Sequence, residues 1–180
     1  MRMDRSQTLS AYNIVNEYSE AELADIIYYN GEEKRSRKIA KEIVTTRADK
    51  SIKTTKELAL IIEKIVPKHN YKIHPATKTF QAIRIAVNDE LNSLEKTLPL
   101  VCEQLKVTGR LAVISFHSLE DRIVKQYFKR ITTAETDPVT GGVIGSPNFK
   151  LVTKKPVKGI MDDNNPRSRS AMLRVVEKIN

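Results

Sequence analysis

The seven residues from Arg110 to Phe116, RLAVISF, constrain this chain more than any other stretch. The run is too short for a buried helix, and Thr108-Gly109 before it and His117-Ser118 after it are stop and start signals. It reads as a strand covered on both faces, as in a parallel sheet. Ser118, with Asp121 three residues on, can cap a following helix, and Ile123, Val124, Tyr127 and Phe128 give that helix an apolar stripe. A loop rich in Gly, Pro and Thr (Thr132 to Asn148) leads to two further strand-like runs, Phe149 to Thr153 and Ala171 to Val176. This order fits the last third of a doubly wound α/β domain.

Everything before this strand reads as helix. Ser19 with Glu22 forms a capping-box pattern, Leu23, Ile26 and Ile27 follow at helical spacing, and Asn30-Gly31 is a stop. A second helix is expected from Glu32 to about Thr46, burying Ile39, Ile43 and Val44 and leaving Lys34, Arg35, Arg37, Lys38 and Lys41 on its surface. Thr54 with Glu57 repeats the capping signature ahead of Leu58, Ile61, Ile62 and Ile65, and Pro67 ends that helix. After the linker KHNYKIHPAT, a helix from about Thr77 places Phe80, Ile83, Val87 and Leu91 on one face and Gln81, Arg84 and Asn88 on another. Asn92 and Glu95 can cap the next helix, with Leu98, Val101, Cys102 and Leu105 as its stripe.

The 31 Lys and Arg residues against 22 Asp and Glu leave a net charge of +9, which favours a polyanionic partner such as nucleic acid. One cysteine, Cys102, excludes an internal disulfide framework and a cysteine-ligated metal cluster, and it fits a reducing cytosol. Three scattered histidines show no metal-ligand spacing, so no metal is expected. No apolar run approaches the roughly 20 residues that cross a bilayer. A cytoplasmic protein without a membrane partner is expected.

Three ordered motifs, HPATKTFQAIRIAVNDEL (His74 to Leu91), ISFHSLEDR (Ile114 to Arg122) and NPRSRSAMLR (Asn165 to Arg174), closely resemble the MraW-type small-subunit (16S) rRNA cytosine-N4 methyltransferase family, methyltransferase H. NEYSEAELADII, the basic helix and the opening MRMD resemble it too, so the likeness covers nearly the whole chain and is weakest from Thr132 to Asn148. The resemblance implies the carboxyl-terminal part of a Rossmann-like class I methyltransferase fold with an all-helical inserted domain. Residues 8–73 would be that insertion, engaging RNA, and 74–180 the carboxyl-terminal part of the catalytic domain. It further implies an S-adenosyl-L-methionine-dependent enzyme that methylates N4 of a decoding-centre cytidine in 16S rRNA or the small ribosomal subunit.

In that family the donor-binding loop precedes MRMD, so this chain is expected to lack it and not to bind the donor alone. The residues say the same: only Gly141, Gly142 and Gly145 cluster among six glycines, with Asp162 at about the spacing of a ribose-binding acid. The preceding ITTAETDPVT does not read as a buried strand, and no convincing helix follows, as a phosphate-cradling loop requires. Ser146-Pro147-Asn148-Phe149 mimics an amino-methyltransferase motif but lacks the second proline and precedes a strand rather than following one.

Ligands in open α/β sheets bind beyond the carboxyl ends of strands. His117 and Ser118 are therefore the catalytic candidates, and Phe116 could stack on a base. The competing readings are that Ser118 caps its helix and His117 satisfies backbone groups. Arg35, Lys38, Lys41, Arg167 and Arg169 are candidate phosphate contacts, with a solvated charged face as the alternative. Gln81, Arg84 and Asn88 either line a substrate groove or face solvent. Three classes of function follow: an enzyme half completed by a separately encoded amino-terminal half, a stand-alone RNA-binding module, and an inactive remnant.

Overall fold

Helices in the first ninety residues begin where a side chain can satisfy their leading amides. The computed structural model describes residues 1–66, 74–136, 140–141, 143–160 and 165–180. In it, α1 (Ala11–Glu17), not foreseen in the sequence, opens with the Asn13 side chain accepting the Ser10 amide. At α2 (Glu20–Gly31) the Ser19 hydroxyl accepts the Glu22 amide and the Glu22 carboxylate accepts the Ser19 amide. The helix α3 (Ser36–Asp49) starts four residues later than expected. Glu32 is left-handed, with φ 50°, and the Glu33 carboxylate accepts the Arg35 amide, so the chain turns before it coils again. Gly31 is thus the last helical residue rather than the left-handed stop, and it matters for another reason: a Cβ there would lie 2.6 Å from the Lys78 carbonyl oxygen. Thr54 and Glu57 cap α4 (Thr55–Ile65) reciprocally, as expected.

The long stripe Phe80–Ile83–Val87–Leu91 does not belong to one helix. The helix α5 (Thr77–Asn88) stops at Asp89, which is left-handed with φ 49°, and α6 (Glu90–Gln104) begins at once, before the expected caps Asn92 and Glu95. Asp tolerates that conformation better than most side chains. The Arg84 guanidinium donates to both Glu90 carboxylate oxygens at 2.8 Å. Packing divides the chain into two units, Met1–Glu90 and Leu91–Asn180, so α5 packs with the helical unit although the resemblance assigned residues from 74 onward to the catalytic part. The helical unit closes around Ile14, Leu23, Ile27, Ile39, Ile43 and Ile62.

The second unit is organised by its last strand. Strands β1 (Arg110–Ser115), β4 (Phe149–Leu151) and β5 (Val157–Lys158) all pair antiparallel with β6 (Met172–Lys178), β1 on one edge and the other two on the opposite edge. A separate two-residue hairpin, β2 (Glu135–Thr136) and β3 (Val143–Ile144), lies in the segment expected to be an irregular loop, and a 3-10 turn spans Pro166–Ser170. The helix α7 (Ser118–Thr132) covers one sheet face, where Val124, Phe128, Phe149 and Val176 are buried with Leu98 and Cys102 of α6.

Two expectations are corrected here. The RLAVISF strand is not sandwiched in a parallel sheet: its only pairing among the described residues is antiparallel, and only one of its faces is covered. Ala112 and Ile114 point away from α7 and are exposed, Ile114 by 58%, as is Val157, which like Ile114 lies opposite Leu173. The cap of α7 is also His117 with Glu120, not Ser118 with Asp121. The imidazole Nδ1 accepts the Glu120 amide, and the Glu120 carboxylate accepts the Phe116 and His117 amides. That leaves Asp121 free to bind Arg174.

Candidate nucleic-acid interface

Helix α3 turns Ile39 and Ile43 into the core, and this puts Arg37, Lys38 and Lys41 on the outside; Lys34 and Arg35, just ahead of the helix, are exposed as well. They are not equivalent. Arg35 donates to the Ile65 carbonyl at 2.9 Å and so satisfies the end of α4, an orphan acceptor that its last turn would otherwise leave. Lys34, Arg37 and Lys38 border, together with Arg35, a cleft of about 500 Å³ that Tyr28 and Tyr29 also line. These two tyrosines are 51% and 66% exposed, with ring centroids 5.2 Å apart and planes at 83°. The sequence reading missed them, although it held a signal: they follow Ile27 and fall outside the Leu23–Ile27 stripe that buries α2. In the other unit, Arg169 is exposed on the 3-10 turn, whose backbone includes Arg167; the side chain of Arg167 lies outside the described residues.

The polar stripe on α5 divides in two. Gln81 and Arg84 border a second cleft of about 460 Å³ in the helical unit, together with Met1, His74 and Phe80. Asn88 instead pins the amino-terminal segment, accepting the Met3 amide at 2.8 Å and donating to the Met1 carbonyl at 3.0 Å. At the carboxyl end of β1, Phe116 is 52% exposed and Ser118 is exposed, whereas Ser115 is buried and donates to the Met172 carbonyl. The His117 ring is largely covered, and its cap role matches the reading in which it satisfies backbone groups.

A donor-cradling loop needs glycines between a strand and a helix amino terminus. Gly141 and Gly145 do have positive φ and open space around them, but they flank β3 and are followed by β4 rather than a helix, and Gly142 lies outside the described residues. Asp162 lies outside the described residues. Asn148, in the motif-like SPNF, uses its carbonyl to accept the Ile179 amide at 2.8 Å, so that segment closes the sheet. The described residues therefore do not fit an S-adenosylmethionine loop. Among them, no helix is long and apolar enough to cross a membrane.

Comparison with known proteins agrees with the motifs. The family model of the MraW methylase family matches residues 1–179. The chain is similar to "Ribosomal RNA small subunit methyltransferase H" from Fusobacterium nucleatum (49% identical over 187 residues, 99% of this chain and 58% of the relative). It is equally similar to the proteins of that name from Neorickettsia sennetsu (50%, covering 99% and 57%) and Geobacter sp. strain M21 (51%, covering 99% and 60%). The chain thus spans somewhat over half the length of these relatives. With residues 1–179 matched and about half its residues identical to such relatives, the chain belongs to the MraW methylase family.

Proposed function

We propose that this chain is the rRNA-engaging and sheet-completing part of an S-adenosylmethionine-dependent 16S rRNA (cytosine-N4) methyltransferase that works on a decoding-centre cytidine in the cytoplasm. The observation that carries this reading is the open side of the second unit: β1 has one unpaired edge among the described residues and an uncovered face bearing Ala112 and Ile114. An apolar edge and face of this kind are completed by another strand and its helices. A donor-binding half, supplied by further chain or by a separately encoded amino-terminal half, fits that role. Residues 8–73 then serve as the RNA-recognition insertion and 74–180 as the carboxyl-terminal part of the catalytic domain.

The amine of cytosine is a poor nucleophile because its lone pair is conjugated with the ring, so placement matters more than strong acid–base groups. Phe116 and Ser118, both accessible at the end of β1, are the residues of this chain best placed to orient the base. Gln81 and Arg84 are assigned to the substrate groove, and Lys38, Lys41, Arg167 and Arg169 to phosphates. The test combines this chain with the donor-binding half of the Fusobacterium nucleatum relative. Labelled methyl groups should enter small ribosomal subunits only when both are present, and calorimetry should detect donor binding only then. Micromolar donor binding by this chain alone, or a stable but inactive complex of the two halves, would overturn the proposal.

A further inference from the structure

We infer that the cleft between α2 and the start of α3 is a binding pocket for an unpaired nucleotide of single-stranded RNA, with its base on the Tyr28–Tyr29 corner and its flanking phosphates on Lys34, Arg37 and Lys38. This rests on the RNA-engaging role proposed above and specifies how one part of that surface reads its ligand. Basic residues alone hold any polyanion, duplex or not. Aromatic faces add a discrimination, because only a base out of its stack can lie on them.

The geometry suits such a base. Two exposed rings held 5.2 Å apart at 83° make a corner, so a flat base laid on the face of one ring presents its own edge to the other. Consecutive exposed tyrosines put two large rings into one surface patch, and such patches mark interaction sites. The pocket, about 500 Å³, falls in the range of small-ligand sites. Asp25 also borders it. A carboxylate there repels phosphate but accepts hydrogen bonds from an exocyclic amine, as carboxylates do from cytosine N4. The pocket therefore favours bases that carry an amino group over uracil.

The experiment uses the whole chain, fluorescein-labelled 8-nucleotide RNAs (oligo-C, oligo-A and oligo-U), a duplex of the same length and an acidic peptide, poly-Glu. Oligo-C and oligo-A should bind more tightly than oligo-U or the duplex. The double variant Tyr28→Ala/Tyr29→Ala should weaken oligo-C binding by about tenfold with an unchanged salt slope, and Tyr28→Phe/Tyr29→Phe should restore it. Changing Lys34, Arg37 and Lys38 to Ala should instead flatten the salt dependence. Circular dichroism checks that each variant is folded. If oligo-C binds but the folded tyrosine variant binds it equally well, the pocket assignment fails while the RNA-engaging role stands. Failure of every RNA to bind would overturn both. Tyrosine-dependent binding of poly-Glu as tight as that of oligo-C would overturn the RNA assignment in favour of a protein partner.

Discussion

The guanidinium of Arg174 on β6 grips both carboxylate oxygens of Asp121 on α7, at 2.8 and 2.9 Å, with the two side chains only 12% and 14% exposed. This fork joins the helix to the middle strand of the sheet. Replacing one partner leaves the other charge covered and unpaired, which is the expensive outcome for a buried pair. Arg174→Met should destabilise the second unit by about 3 kcal/mol, read by urea unfolding monitored through amide exchange in 110–115 and 172–178. A loss within the error of the measurement would show that the fork is dispensable.

The same pair sets an acid limit. Hydrogen bonds from Arg174 hold the Asp121 carboxyl below the usual carboxylate range, against the opposing effect of burial. Glu177, which bridges Lys150 and Arg110, is lowered in the same way, first by Lys150. A depressed folded pKa means that the unfolded state takes up the proton first as acid is added. The stabilisation is complete above the ordinary value of about 4 and is lost as pH falls through the folded value. The urea midpoint should therefore be flat from pH 7 to about 5 and fall below about 4, and Asp121→Asn should fall less steeply. Identical slopes for parent and variant would remove Asp121 from the account.

Gly31→Ala should reverse the usual sign. Within a helix this change ordinarily stabilises by about 0.5–1 kcal/mol. Here the added Cβ meets the Lys78 backbone oxygen at 2.6 Å, so α2 and α5 must part, at a cost of about 1–3 kcal/mol. Thermal unfolding followed at 222 nm decides between the two signs.

Local chemistry was legible in the sequence and distant chemistry was not. Ser19–Glu22 and Thr54–Glu57 were readable as caps because both partners sit within one turn. The cap of α7 falls at His117, one residue earlier than Ser118; imidazole is an unusual cap, and Ser118-x-x-Asp121 offers a more ordinary pattern. The break at Asp89 carries neither Gly nor Pro, and Arg84 meets Glu90 only once the chain has turned there. The basic surface was visible as charge, but Arg35's engagement with Ile65 spans 30 residues, and no local pattern encodes it. The β1 run announced a strand correctly, yet its apolar character could not say which face the present chain covers.

Isolated chain should self-associate through β1. Its edge, open among the described residues, and the exposed Ile114 offer both backbone groups and apolar surface to a second copy. Light scattering at tens of micromolar should report dimers or larger species, and Ile114→Lys, or added donor-binding half, should reduce them. In the associated form every amide of 110–115 should exchange slowly, and in the monomer only alternate ones. A stable monomeric parent with the whole strand protected would mean that another segment covers the edge.

Among the described residues every strand pairing in the larger sheet passes through β6, and Arg110 meets its partner Glu177 across 67 residues. During synthesis, β1 therefore leaves the ribosome long before β6 can pair with it, whereas the caps and helix contacts of Met1–Glu90 are complete as soon as that stretch emerges. Folding of the second unit is in this way timed by translation of its final strand, and a ribosome paused before residue 172 would carry a finished helical unit trailing an unassembled sheet.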